Sequence, residues 1–257
     1  MSAQLTSSLL SFRLAYLMSI TEAWQNEQYK EELLDCSNVL AHPGFTRYLP
    51  NEDPVQWKAS IILKENGLRW KPEGAPVGSN GWMGPYDDFV IKMPNRPTDS
   101  KQKPIALSAY YQQFPTFFGG GHGNLPGGTG AVAANAVTKV GGLGIGGPET
   151  FLSFGALTLR VIAYAWENEE FFNKLTDPDV NNAAELLTEY FQFTNPWNFN
   201  IRFERDENFN WDSEKGWPTD IMNRIELNFP DTPNMNEQAI AIASYNDSGP
   251  AYPYSCN

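Results

Sequence analysis

The tightest constraint on this chain is that it is written twice. Its eight tryptophans fall into two sets of four with similar local text. Trp24 lies in EAWQNEQY and Trp166 in YAWENEEF. Trp57 opens VQWKASIILKENGLRW and Trp197 opens NPWNFNIRFERDENFNW, the two segments closing at Trp70 and Trp211. Trp82 and Trp217 each follow a glycine, Gly81 and Gly216. Each copy then reaches an apolar segment ending in proline, FVIKMP at Pro94 and RIELNFP at Pro230. Last come IALSAYYQQFP (105–115) and IAIASYNDSGP (240–250). Such order in two stretches of one chain marks a tandem duplication, and repeats decide a fold before any local motif does.

Within each copy, helix precedes strand. Leu14, Leu17, Thr21, Trp24, Tyr29 and Leu33 recur at mainly helical spacing over residues 12–34, and Leu157, Val161, Tyr164, Ala165, Phe172 and Leu175 do so in the second copy. TDPD (176–179) breaks that helix, with Asp177 or Asp179 expected to cap the following AAELLTEYF. Trp197, Phe199, Ile201 and Phe203 then alternate with Asn198, Asn200, Arg202 and Glu204. Trp57, Ala59, Ile61 and Leu63 do the same in the first copy. Period two indicates a strand with one apolar and one polar face. The closing segments, with Phe89, Ile91 and Met93 or Ile225, Leu227 and Phe229, repeat it, while KENG (64–67) and DEN (206–208) read as turns. The expected fold is α+β: two similar repeats, each with N-terminal helices followed by a small antiparallel sheet. The tryptophans are expected in the core and on the sheet face. The expected organisation is a first repeat at 1–118, a Gly-rich linker at 119–147 with twelve glycines and His122, and a second repeat at 148–257.

Composition narrows the function classes. Eighteen Lys and Arg against thirty Asp and Glu give a net charge of −12, which opposes a nucleic-acid partner. No run of apolar residues is long enough to span a membrane, since Arg13 and Arg160 interrupt the best candidates. The segment MSAQLTSSLLSFRLAYLMSI lacks a basic n-region, so an ordinary Sec signal is not expected. Cys36 and Cys256 read as two separate thiols, His42 as a turn residue, and NEDP (51–54) and RFERDEN (202–208) as solvated turn charges. There is no Gly-rich phosphate loop, no zinc-ligand spacing and no Gly-x-Ser-x-Gly elbow. No catalytic residue, cofactor or metal is therefore assigned, and the chain is expected not to be an enzyme.

The block RVIAYAWENEEFFNKLTDPDVNNAAELLTEYFQFTNPWNFNIRFERDENFNW, followed by GWP and RIELNFPDTP, resembles the nitrile hydratase alpha-like leader domain. More closely, it resembles the precursors of thiazole/oxazole-modified microcins (TOMM), bacteriocin-type peptides that use this leader. The carrying features are Trp166, Phe171 to Pro178, Pro196–Trp197, Gly216–Pro218 and Leu227–Pro230, and the first copy repeats the pattern from Phe12 to Pro115. The Cys-x-x-Cys-Ser-Cys metal claw of the hydratase is not in this sequence, so its metal chemistry is not carried over.

The resemblance implies a ribosomally made bacterial precursor whose repeats are recognised by modification and export machinery. Ser255 and Cys256 are then the modifiable residues, and the bonds at Gly142 and Gly147 the cleavage points. It also implies synthesis in the cytoplasm, with export that needs no Sec signal. The alternative is a self-assembling structural protein, a filament or sheet subunit that retains the leader fold. There the partners are copies of the chain itself in a homo-oligomer, and Tyr110, Phe117, Phe118, Tyr245, Tyr252 and Tyr254 dock the aromatic tails on neighbouring units.

Overall fold

The computed structural model describes residues 2–49, 59–72, 81–113, 148–180, 182–195 and 199–248. The first repeat contributes helices α1 (Ser2–Ala23), α2 (Glu27–Leu34) and α3 (Pro43–Thr46), strands β1 (Ala59–Trp70), β2 (Trp82–Met83) and β3 (Asp87–Met93), and helix α4 (Lys103–Gln113). The second contributes α5 (Pro148–Glu167), α6 (Glu169–Leu175), α7 (Ala183–Phe191), β4 (Phe199–Arg205), β5 (Asn223–Pro230) and α8 (Gln238–Ser248). The helical stretch expected at 12–34 is two helices because Asn26 caps the second, its side chain accepting from the Tyr29 amide at 3.2 Å. Asn168 does the same for Phe171 at 2.9 Å. An Asn side chain that satisfies an orphan amide starts a new helix more readily than it continues an old one.

The α+β class and the twofold repetition are as expected, but the strands form one mixed sheet in the order β2-β1-β5-β3-β4, not a small antiparallel sheet in each repeat. β1 runs parallel to β5, with Ile61 opposite Ile225, and β4 runs parallel to β3, with Ile201 opposite Phe89. At the centre β3 and β5 are antiparallel, with Phe89 opposite Ile225. Those two residues hold the same place in FVIKMP and IELNFP, so a pseudo-twofold axis passes through the pair. Both neighbours of β3 belong to the second repeat, and both neighbours of β5 to the first. Among the described residues, pairing within a repeat is confined to the two-residue contact of β1 with β2 and the isolated bridge of Asp212 with Gly216.

Burial distinguishes the inner strands from the edge. β4 alternates regularly between buried and half-buried residues, as a strand at the sheet's edge does. β3 and β5 are buried almost continuously, on both faces, through Val90 and Glu226 as well as through Phe89, Ile91, Ile225 and Leu227. Such strands lie inside a sheet, and here each is flanked on both edges by strands of the other repeat. The chain therefore leaves β2 through Gly84, Pro85 and Tyr86 and carries β3 into the other half.

The same exchange governs the helices and the tryptophans. α1 packs against α8, and α4 against α5. The Trp24 indole N–H donates to the carbonyl of Pro230 at 3.1 Å, and Trp166 to that of Pro94 at 2.9 Å. Trp82 donates to Ala241 at 2.9 Å and Trp217 to Ala106 at 2.7 Å. All four of these indoles are buried, as the sequence led us to expect, and each bond crosses from one repeat to the other. Trp57 and Trp197 lie outside the described residues.

Three local expectations are corrected. KENG is no turn: β1 runs through it with a register shift between Lys64 and Leu68, made where Gly67 adopts a φ of +73°. Neither Asp177 nor Asp179 caps α7. The Asp177 carboxylate instead accepts from the Asp179 amide at 3.0 Å, and Asn182 occupies the cap position without a side-chain bond. Within RFERDEN, Arg202 and Glu204 lie on β4 as the period-two pattern placed them, and the turn reading holds only from Asp206, which accepts from the Asn208 amide.

Two predictions follow from these contacts. Trp24→Phe and Trp166→Phe each leave a buried carbonyl without its donor, and each should lower stability by about 2 kcal/mol in a denaturant titration. Gly81 and Gly216 share a left-handed backbone, φ +86° and +83°, but a methyl group at Gly81 would meet the Trp70 ring at 2.7 Å, against 3.9 Å from Trp211 for Gly216. Gly81→Ala should therefore cost more than Gly216→Ala, which should lose only the backbone term of about 1–2 kcal/mol, as read by melting temperatures.

Candidate functional site

The polar face of the sheet collects the charged side chains of four strands from both repeats. Asp88 and Glu226 stand directly opposite one another across the seam, two carboxylates in adjacent strands. Arg202 of β4 reaches both, at 3.4 Å from Asp88 and 3.8 Å from Glu226. Asn200 adds a hydrogen bond to Asp88 at 2.9 Å. Glu226, buried at 2% exposure, also accepts from Lys64 and from the Arg224 Nε at 2.5 Å. Arg224 forks onto both oxygens of Glu204, which takes Lys92 at 2.9 Å as well. Such interleaving is required, because like charges facing each other across a ladder destabilise it unless a cation sits between them.

The ionisation of this face follows from its partners. Burial pushes the Glu204 carboxyl upward, but the bonds from Arg224 and Lys92 outweigh it and hold the group at about 2. Burial likewise opposes ionisation of Glu226, and Lys64 and Arg224 again prevail, keeping it below the ordinary carboxylate range. Arg224 is driven up, its desolvation outweighed by the two glutamates. These charges are committed to one another and to joining the repeats, since Lys64–Glu226, Lys92–Glu204 and Arg202–Asp88 all cross from one copy to the other.

A second polar pair lies under the apolar face, at the start of the two central strands. Asp87 and Asn223 are buried at equivalent positions. The Asp87 carboxylate accepts from the Asn228 amide at 2.7 Å, and the Asn223 side chain accepts from the Lys92 amide at 2.9 Å. The Tyr110 hydroxyl lies against Asn223, and burial drives that phenol far above its ordinary range. Tyr16, ringed by Tyr245 at 6.2 Å and Phe229 at 6.3 Å, is raised in the same way, chiefly by burial.

Elsewhere, a groove of about 480 Å³ runs beside β4, where Leu175, Pro178 and Val180 face Arg202 and Arg205. Among the described residues there is no cluster of His, Cys, Asp and Glu able to hold a metal, and no helix long and apolar enough to cross a membrane. Cys36 is a free thiol.

Of the residues singled out from the sequence, Tyr110 and Tyr245 are docked within the chain itself. Both are buried on helices of the exchanged halves, Tyr110 against Phe209 at 6.0 Å and Tyr245 against Trp82 at 5.6 Å. Ser255, Cys256, Gly142, Gly147, Phe117, Phe118, Tyr252 and Tyr254 lie outside the described residues. The residues missed from sequence are Asp87, Asn223, Arg224 and Glu226. Their signal was there, as polar side chains inside otherwise apolar strands, DDFVIKM and NRIELNFP.

The two repeats are interlocked through one sheet, and ion pairs on its polar face tie one copy to the other. The ribosomal natural product, two-chain TOMM family matches residues 7–118 and again residues 149–253, and the chain belongs to that family. No curated protein and no solved structure matches it.

The ion pairs give a pH dependence. Glu204, held at about 2 in the fold and near its ordinary value when unfolded, stabilises the protein fully above about pH 5. That contribution is lost as the pH falls from the ordinary carboxylate range through about 2. The stability difference between the wild type and Glu204→Gln should thus be constant near neutrality, on the order of 1–3 kcal/mol after solvent screening, and should shrink steadily below pH 4.5. Urea titrations of both proteins at a series of pH values measure it.

Proposed function

We propose that the chain is the precursor of a modified ribosomal peptide, with the interlocked repeats serving as the body that modification and export machinery recognises. Membership of the two-chain TOMM family carries this reading. The nitrile hydratase alpha-like character of the repeats belongs to it as the leader portion, and the chain acts as substrate rather than enzyme. The residues that chemistry would alter are then Ser255 and Cys256, whose side chains can attack the preceding carbonyl to form an oxazoline or thiazoline ring. They follow α8 in the sequence, and Tyr245 of that helix is anchored in the core. Gly142 and Gly147 are the proposed cleavage points between the repeats. The precursor is made in the bacterial cytoplasm and exported by a route specific to its machinery.

Self-assembly is the weaker reading. Two of the six rings proposed to dock on neighbours, Tyr110 and Tyr245, are already covered by the chain's own second half and first half. What supports it is confined to Phe117, Phe118, Tyr252 and Tyr254.

The deciding measurement is the intact mass of the protein from its native source. The expected result is a loss of about 18 Da per cyclised residue, or about 20 Da after oxidation, localised to Ser255 and Cys256 and absent in Ser255→Ala/Cys256→Ala. An unmodified, uncleaved mass in particles far larger than one chain would favour the assembly reading instead.

A further inference from the structure

The sheet holds a consequence for how the two halves of the chain stay together. β3 has no strand neighbour from its own repeat, and neither has β5. A first repeat on its own would expose both edges of β3 together with Phe89, Ile91 and Met93, all of them buried now. A second repeat on its own would do the same with β5 and with Ile225, Leu227 and Phe229. The reciprocal bonds would go too. Trp24 would lose Pro230, Trp166 would lose Pro94, Trp82 would lose Ala241 and Trp217 would lose Ala106. So would the backbone bonds of Asp231 to Leu68 and of Asn95 to Phe209, each at 2.8 Å. This is the geometry of an exchanged dimer, in which each unit is completed by identical elements of the other.

All of these contacts join described residues of one repeat to described residues of the other. We propose that the partner of each repeat is the other repeat, bound through the exchanged strand and helix, and that the covalent connection between α4 and α5 is not needed to hold them. Scission anywhere in the Gly-rich stretch leaves a two-chain complex with the same sheet. Because neither half can leave without unpairing both central strands, dissociation is coupled to unfolding, and the complex survives dilution that would separate two folded domains. The inference stands on the strand pairing alone. If the cleavage proposed at Gly142 or Gly147 occurs, its product is one two-chain body rather than two separate proteins.

The test inserts a site-specific protease sequence between Gly128 and Thr129 of the full-length chain and cuts the folded protein. Hydrolysis of one peptide bond adds one water, so native mass spectrometry should show the parent mass increased by about 18 Da, while denaturing spectra show two fragments. Elution volume and the near-ultraviolet tryptophan signal should not change on dilution to about 1 µM, where weak interfaces come apart. A second measurement mixes cut protein made with heavy isotopes with the light form. Native mixing should yield no hybrid complexes over hours, and hybrids should appear only after unfolding and refolding. Separation of the halves on dilution, with each keeping its tryptophan signal, would overturn the inference, as would loss of that signal or rapid hybrid formation on cutting. The engineered cut is read out without any modification enzyme, so failure of the precursor reading leaves this result untouched.

Discussion

The antiparallel contact of β3 with β5 is the point on which the rest of the structure rests. Three residue pairs, Asp88 with Glu226, Phe89 with Ile225 and Val90 with Arg224, set two equivalent strands in opposite directions. Once they are so placed, the outer edge of each is free for a parallel partner, and the partner that fits is the first strand of the other repeat. Parallel pairing ordinarily demands a long crossover connection. Here the second strand comes from the other copy, so the crossover is supplied by duplication. The helices follow their strands, which is why α1 meets α8 and α4 meets α5.

Tryptophan density has a physical reason in this arrangement. An indole offers a large apolar ring and one donor that must be satisfied when buried. At Trp24, Trp82, Trp166 and Trp217 the acceptor is a carbonyl of the opposite repeat, two of them on the prolines that close the central strands. Each ring therefore fills its own half while tying down a strand or helix borrowed from the other half. The ion pairs on the opposite face work in the same direction, although they are partly exposed and individually weaker.

Much of this was legible in the sequence. The duplication, the α+β class, both closing strands and the core role of the tryptophans follow from order, period and composition. The exchange was not legible, because a period-two pattern tells which side of a strand is buried and says nothing of which strand lies beside it. One trace was present in β3 alone: DDFVIKM carries the unbroken apolar run Phe89, Val90 and Ile91, as inner strands do, whereas NRIELNFP alternates as regularly as NFNIRFER. The break between α1 and α2 was also visible in principle, since Asn26 and Asn168 stand three residues before Tyr29 and Phe171. Helical spacing on either side masked it. Arg202 and Glu204 read both as the polar face of a strand and as turn charges, because the two look alike until the ladder is known, and the strand is what forms.

The repeats share the order of their elements, and they differ in side chains at the seam. Asp87 answers to Asn223, Val90 to Glu226 and Lys92 to Asn228, so the two copies do not present the same face to each other. Glu226 is the telling case. It sits buried opposite Asp88 and is tolerated because Lys64, Arg202 and Arg224 converge on it, and Lys64 comes from the repeat that lacks the glutamate. A carboxylate there without those cations would carry the full penalty of an unpaired buried charge. Residues of one copy thus make sense only in the presence of the other, and the pair, rather than either repeat, is the unit that the sequence specifies.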